Sequence, residues 1–95
     1  INKFAYPTAT LGLYHIKKGR VDKGKSYYEK AIKLVLSADE KSRLRQKLYF
    51  EIGKYYRSID RYDLARDYFK KVIKIKNGFD SILRLSHIML NEIKK

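Results

Sequence analysis

The side chains best suited to acid–base chemistry near neutral pH are the two histidines, His15 and His87. His87 follows Ser86, and Glu92 lies five residues further along. This spacing does not force a nucleophile, a base and an orienting group together, as an acyl-transfer triad requires. His15 falls on the same side of a predicted helix as Leu11 and Tyr14, which favours a packing role. We therefore predict no catalytic residues and a protein that is not an enzyme.

Residues for a metal or phosphate site are equally sparse. The chain has no Cys, and His87 with Asn91, four residues along a helix, offers one imidazole and one amide. Asp39-Glu40, Asp60 and Asp63 have the positions of capping and first-turn residues of helices. The sequence also lacks a glycine-rich phosphate-binding loop. We predict no metal ion and no cofactor.

The formal net charge of +13, from 23 Lys and Arg against 10 Asp and Glu, is the most unusual property of the composition. It favours an acidic partner such as nucleic acid, an acidic peptide or an anionic membrane surface. The charges form no block along the chain, and a compositionally biased or thermophilic proteome explains them as well. The sequence leaves both explanations open.

The composition also limits the class of protein. A chain of 95 residues forms at most one domain, and 44% hydrophobic residues exclude disorder. The lack of Cys excludes a disulfide framework and fits a reducing compartment. No apolar run approaches the roughly 20 residues of a membrane helix. We expect a cytoplasmic protein without a membrane span, and the missing N-terminal Met suggests a piece of a larger protein.

The chain contains an internal repeat. A shift of 41 residues aligns Gly12 with Gly53, and one register holds without a gap over Leu11–Leu34. Each copy has apolar residues at helical spacing on both sides of a break, which lies at Gly19-Arg20 in the first copy and Asp60-Arg61 in the second. Each copy therefore predicts two helices.

Capping and stop signals extend this pattern to five helices. Ser37 opens a capping-box sequence before the third helix, and Asn77-Gly78 ends the fourth. Thr8 and Thr10 are predicted to cap the first helix, and Asp60 the fourth. The predicted helices span about 8–18, 22–36, 38–58, 61–75 and 79–93.

Glycines in the middle of helices predict that the helices pack closely in pairs. Gly12 and Gly53 each cost about 1 kcal/mol relative to Ala, which indicates that a neighbouring helix approaches at these points. Gly24 and Ala65 are the small residues on the second helix of each copy, and the aromatic residues Tyr28 and Phe69 are expected to fill the space between neighbouring pairs.

This spacing resembles the tetratricopeptide repeat, whose pattern is Trp-x2-Leu-Gly-x2-Tyr, then Ala-x3-Phe, then Pro. The best match is the second copy, Tyr49-x2-Ile52-Gly53-x2-Tyr56 with Ala65-x3-Phe69. The first copy matches as Leu11-Gly12-x2-His15 with Gly24-x3-Tyr28, and a partial third as Ile82-x2-Leu85-Ser86-x2-Met89.

The resemblance implies an all-α, tetratricopeptide-like α-solenoid of antiparallel helix pairs with about two and a half repeats. It implies a single domain over 1–95, with repeats over about 5–37 and 38–77 and a partial or capping helix over 79–93. The chain departs from the family in lacking the Pro and in its spacing, which exceeds the family's ~34 residues. We place the additional residues at 38–47, where they lengthen the third helix.

In the family that the chain resembles, the first helices of successive repeats line a concave groove. We therefore predict a protein–protein interaction module or scaffold, which binds an acidic or carboxylate-bearing peptide or partner helix with apolar anchors. The asparagines of the family's carboxylate clamp are not matched. Carried over position by position, the groove residues are Leu13, Ile16, Lys17, Lys47, Phe50, Lys54, Arg57, His87, Leu90 and Asn91.

Nucleic-acid binding is a less favoured alternative. The fourth helix carries Lys70-Lys71 and Lys74, and Tyr27, Tyr55 and Tyr68 would stack on bases if exposed. The chain has no recognised nucleic-acid motif, and most of its tyrosines occupy core positions of the repeat.

A purely structural role is the third hypothesis. The fifth helix has an apolar face but no second helix to pair with, and about three repeats are needed to bury the core of such a stack. The sequence leaves open whether this face forms a homo-oligomer or contacts another part of a larger protein. Its residues are Ile82, Leu85, Ile88, Met89 and Ile93.

Overall fold

A computed structural model describes residues 3–93, which form five α-helices and no β-strand. The helices are α1 Ala5–Lys17, α2 Val21–Leu34, α3 Ala38–Ser58, α4 Tyr62–Lys74 and α5 Asp80–Ile93. α1 packs against α2 and α3 against α4; α5 packs against α4, and α1 also lies next to α3. Short loops join the packed helices, as in antiparallel pairs. The predicted all-α solenoid of helix pairs is confirmed.

The start of α1 differs from the prediction. α1 begins at Ala5, and Thr8 and Thr10 do not cap it. Their hydroxyls donate to carbonyl oxygens four residues earlier, at 2.6 and 3.0 Å, inside the helix. Pro7 is accommodated because backbone N–H groups in the first turn have no partner within the helix. The helix therefore extends through the Pro that was expected to precede it.

The cap of α3 agrees with the prediction. The Ser37 hydroxyl accepts hydrogen bonds from the backbone N–H groups of Asp39 (3.1 Å) and Glu40 (3.3 Å). The reciprocal half of the capping box does not form, because the Glu40 carboxylate accepts a hydrogen bond from the Tyr6 hydroxyl at 2.9 Å. α3 has 21 residues against 13 in α1, so the additional residues of the second copy lengthen α3 at its N-terminal end.

We expect Ser37→Ala to lower the free energy of unfolding by about 1 kcal/mol, because two helix N–H groups lose their acceptor. Urea denaturation followed by circular dichroism measures the difference. Thr8→Ala is the matched control and should change stability by less than about 0.5 kcal/mol, since its hydroxyl bonds only to a carbonyl that the helix already uses. Equal losses in both variants would contradict this assignment of the caps.

The predicted cap of α4 is wrong. Asp60 adopts a left-handed backbone conformation with φ of 62°, and its carboxylate accepts a hydrogen bond from the Tyr62 hydroxyl at 2.9 Å. α4 begins at Tyr62 without a side-chain cap. Asp60 thus forms the turn between α3 and α4. Asn77 is also left-handed, with φ of 63°, in the loop after α4, where the sequence predicts a stop.

The helix pairs close at the predicted small residues. A Cβ added to Gly12 would lie 2.8 Å from the carbonyl oxygen of Gly24, and one added to Gly53 would lie 2.8 Å from Cε1 of Phe69. Both distances are shorter than carbon atoms tolerate. The glycines therefore permit α2 to approach α1 and the Phe69 ring on α4 to approach α3.

The core has two parts that meet at α3. The first part lies between α1, α2 and α3 and includes Ile16, Tyr28 and Leu48. The second lies between α3, α4 and α5 and includes Phe50 and Phe69. α3 thus contributes to both parts and connects them.

Candidate functional site

Three of the predicted groove residues lie in the core instead. Ile16 is buried in the first part of the core, where its side chain contacts Gly24. Phe50 and Leu90 are buried in the second part, between α3, α4 and α5. Because the neighbouring helices cover them, these residues offer no surface to a partner. The family pattern assigns residues to the groove by their position in the helix, and it does not show which of them neighbouring helices cover.

The other seven predicted residues are accessible and lie on α1, α3 and α5. Those on α1 and α3 are joined, because Leu13 and Lys47 line the same hollow. α3 and α5 are joined by an ion pair in which Arg57 donates to the Glu92 carboxylate. We call the accessible residues of the predicted groove the groove face: Leu13, Lys17, Lys47, Lys54, Arg57, His87 and Asn91.

A carboxylate that the sequence analysis did not single out organises the middle of the groove face. Lys47 Nζ lies 2.7 Å from Oε2 of Glu51, and Lys54 Nζ lies 3.1 Å from Oε1. The Glu51 side chain is only 5% exposed, whereas the two lysines are 40% and 39% exposed. The three charges sum to +1, and the two lysine side chains reach solvent while the carboxylate does not. The i,i+4 and i,i+3 spacing was the available sequence signal.

The C-terminal end of the groove face is less basic than the sequence suggests. Arg57 is paired with Glu92, and these two residues border an open hollow of about 490 Å³ together with Ser58, Tyr62 and Ile93. Since the two charges cancel, Arg57 is not an unpaired cation for a partner. The positive charge of α3 on the groove face therefore comes from Lys47 and Lys54.

A second hollow, of about 300 Å³, lies between the N-terminal halves of α1 and α3. We call it the α1–α3 hollow. Its floor consists of Ala9, Tyr28 and Leu44, which are buried. Its rim consists of Tyr6, Thr10, Leu13, Arg43, Lys47 and Phe79. Only Leu13 and Lys47 among these were predicted from sequence.

The histidines lie apart and have different environments. His15 is nearly buried, its ring stacks on Tyr27 with centroids 5.3 Å apart, and its Nδ1 accepts a hydrogen bond from Arg20 Nε at 2.9 Å. Burial, then the charges of Arg20 and Lys23, lower the pKa of His15. His87 is exposed on α5. The structure gives His15 a packing role, as the repeat pattern predicts.

We expect the stability to fall as the pH drops below about 6.5, the ordinary pKa of histidine. The folded-state pKa of His15 is lowered, so the unfolded chain takes up the proton first. The contribution of His15 is therefore complete above the unfolded pKa and is lost as the pH falls through the lower, folded pKa. Urea midpoints at about pH 7.5 and about pH 5.5 measure this loss. Between these two pH values, the His15→Gln variant should lose less stability than the wild type does. An equal loss in both would contradict the assignment to His15.

The tyrosines considered for base stacking have neighbours on their rings. Tyr27 stacks on His15, and Tyr68 stacks on Tyr56 while Lys71 Nζ lies 4.6 Å from its ring centroid. The Tyr55 hydroxyl lies beside Gly19, in the loop between α1 and α2. A base would have to displace these contacts. The observed packing therefore gives no support to nucleic-acid binding through these rings.

The predicted apolar face of α5 is divided between two environments. Ile82, Met89 and Ile93 are partly buried against the second part of the core, so they are not a free face. Leu85 and Ile88 are exposed on α5. The five residues were grouped by helical spacing alone, and α4 covers part of them. The accessible apolar area on α5 is thus smaller than predicted.

The described residues contain neither a metal-binding cluster nor a membrane-spanning helix. Within residues 3–93, no three His, Asp or Glu side chains lie close enough to hold a metal ion. In the same part of the chain, none of the helices is long and apolar enough to cross a membrane.

The comparisons with known proteins agree with the observed helix pairs. A model of the tetratricopeptide repeat family matches residues 6–77, a range that contains both helix pairs and ends before α5. No curated protein and no solved structure matches the chain. Tetratricopeptide repeats generally mediate protein–protein interaction. The chain belongs to the tetratricopeptide repeat family.

Proposed function

We propose that the protein is an interaction module that binds an acidic segment of a partner protein on the groove face. The observation that supports this most is the arrangement of Lys47, Glu51 and Lys54. The two lysine side chains are partly exposed, and their ammonium groups pair with a carboxylate that is almost completely buried. An acidic segment is therefore attracted by the two lysines, and Glu51 offsets part of this attraction.

Apolar contacts supply most of the affinity in this proposal. Exposed lysines near a protein surface attract an acidic partner only weakly, and they act mainly on the association rate and on orientation. Leu13 lies on the groove face beside Lys47, where an apolar side chain of the partner can pack while the acidic groups face the lysines. A partner with both kinds of residue fits this surface better than a purely acidic one.

The test changes the charge of the groove face without changing its shape. We expect Glu51→Gln to strengthen binding of an acidic peptide several-fold, because Lys47 and Lys54 lose the anion that neutralises them. The probe is a fluorescein-labelled peptide of Asp and Glu residues with one central Phe, and fluorescence anisotropy measures its dissociation constant.

The matched control is Glu29→Gln, which makes the same change of charge on α2. Glu29 is half exposed and lies 3.9 Å from Arg45, away from the groove face. Equal strengthening by both variants would show that only the total charge matters. Weaker binding by Glu51→Gln would contradict the proposal directly.

A further inference from the structure

The α1–α3 hollow contains an exposed aromatic side chain that the fold holds in place. Phe79 lies in the loop before α5 and is 48% exposed, although burial of a large apolar ring normally stabilises a fold. Its ring borders the hollow, and the guanidinium carbon of Arg43 lies 5.2 Å from the ring centroid. The position of this ring needs an explanation.

A pair of hydrogen bonds from a buried amide holds the Phe79 backbone in this position. Gln46 is 1% exposed, its Nε2 donates to the Phe79 carbonyl oxygen at 3.1 Å, and its Oε1 accepts from the Phe79 N–H at 2.8 Å. The loop approaches so closely that a Cβ at position 78 would overlap the Gln46 amide, so a side chain there would displace this amide. Gln46 and Gly78 together fix the backbone from which Phe79 projects.

The hollow has the form of a pocket for one side chain. Its volume of about 300 Å³ is at the lower end for ligand pockets, and its floor of Ala9, Tyr28 and Leu44 is apolar and buried. Tyr6 is held on the rim by the hydrogen bond from its hydroxyl to Glu40. An apolar side chain in this hollow loses contact with water where it meets the buried floor and the apolar rim residues Leu13 and Phe79.

The charged residues that line the hollow identify the occupant. Arg43 and Lys47 are both cations, and among the described residues no Asp or Glu lines the hollow. Glu51 is shielded, and the Glu40 carboxylate already accepts the Tyr6 hydrogen bond. We propose that the α1–α3 hollow receives one large apolar side chain of the acidic segment, whose carboxylates meet Arg43 and Lys47. This inference rests on the proposed function and adds the position and chemistry of its anchor.

Gln46 is a positioning residue in this account, because it acts through Phe79 and does not line the hollow. The fixed loop means that Phe79 needs no ordering when the partner binds, which lowers the entropic cost of association. Residues of the usual repeat pattern do not form this part of the rim, because Phe79 lies outside the two matched helix pairs.

The experiment compares two fluorescein-labelled peptides of Asp and Glu residues, one with a central Phe and one with Ala in its place. We expect the wild-type chain to bind the Phe peptide about tenfold more tightly, as burial of an aromatic ring predicts. Phe79→Ala should remove most of this preference. Arg43→Gln should weaken the binding of both peptides and leave the preference unchanged. Gln46→Ala should reduce the preference if the chain still folds, as judged by circular dichroism.

The matched control is Ile59→Ala, which truncates a side chain of similar exposure, 47%, outside the hollow. It should keep the preference for the Phe peptide. If Phe79→Ala also keeps it, or if the wild type binds both peptides equally, the anchor does not lie in this hollow. The proposed function survives that result provided that Glu51→Gln still strengthens binding. If the wild type binds neither peptide, both proposals fail.

Discussion

Replacing Phe69 with Ala is expected to lower the free energy of unfolding by about 3–5 kcal/mol, as for other buried Phe→Ala changes. Phe69 is completely buried in the second part of the core, where its ring packs 6.0 Å from that of Phe50 and against Gly53. Truncation removes the contact between α3 and α4 and leaves a cavity between α3, α4 and α5. A chain of this size has a total stability of roughly 5–15 kcal/mol, so the loss is a large fraction of it.

Guanidinium denaturation followed by circular dichroism measures this loss. Phe79→Ala is the matched control, because it removes the same atoms from a ring that is 48% exposed. We expect the control to cost less than about 1 kcal/mol, as usual for surface changes. Similar losses in the two variants would show that the packing of α4 against α3 is not as described.

Gly53→Leu is expected to destabilise the chain by about 1–3 kcal/mol, through overpacking between α3 and α4. Its Cβ alone would lie 2.8 Å from Cε1 of Phe69, and the remaining atoms of Leu have no space unless the ring or the helix moves. The same denaturation experiment measures the effect. A neutral result would contradict the close pairing of the two helices.

The double variant Gly53→Leu with Phe69→Ala separates overpacking from other causes. Leu in place of Gly53 occupies part of the space that the missing ring leaves, so the double variant should lose less stability than the two single losses together. Additive losses would mean that the two residues do not share this space.

The fold could be predicted because the repeat encodes it at several levels. The shift that aligns Gly12 with Gly53 identifies equivalent helices, and the close contacts at both glycines show why those positions are small. Ser37 was found because its capping sequence is local. Thr8 has the same chemistry but lies inside α1, since the helix extends through Pro7 and local sequence does not exclude this.

The groove face was predicted less well because it depends on contacts between distant residues. Ile16 has the spacing of a groove residue, but its burial follows from how α2 and α3 pack on α1. The bonds between Gln46 and Phe79 join residues 33 apart in the chain, and no periodic pattern indicates them. Glu51 had a readable signal in its spacing from two lysines, whereas its burial required the packed structure.

Amide chemical-shift mapping by NMR locates the surface on which an acidic partner binds. The labelled chain is titrated at physiological salt with the acidic Phe peptide and, separately, with a short single-stranded RNA. We predict that the peptide shifts amides of α1, α3 and the loop at Phe79, with the largest changes near Leu13 and Lys47, and that the RNA causes weak changes that salt removes. Peptide-induced changes confined to α2 and α4, or salt-resistant binding of the RNA alone, would contradict binding of an acidic partner on the groove face.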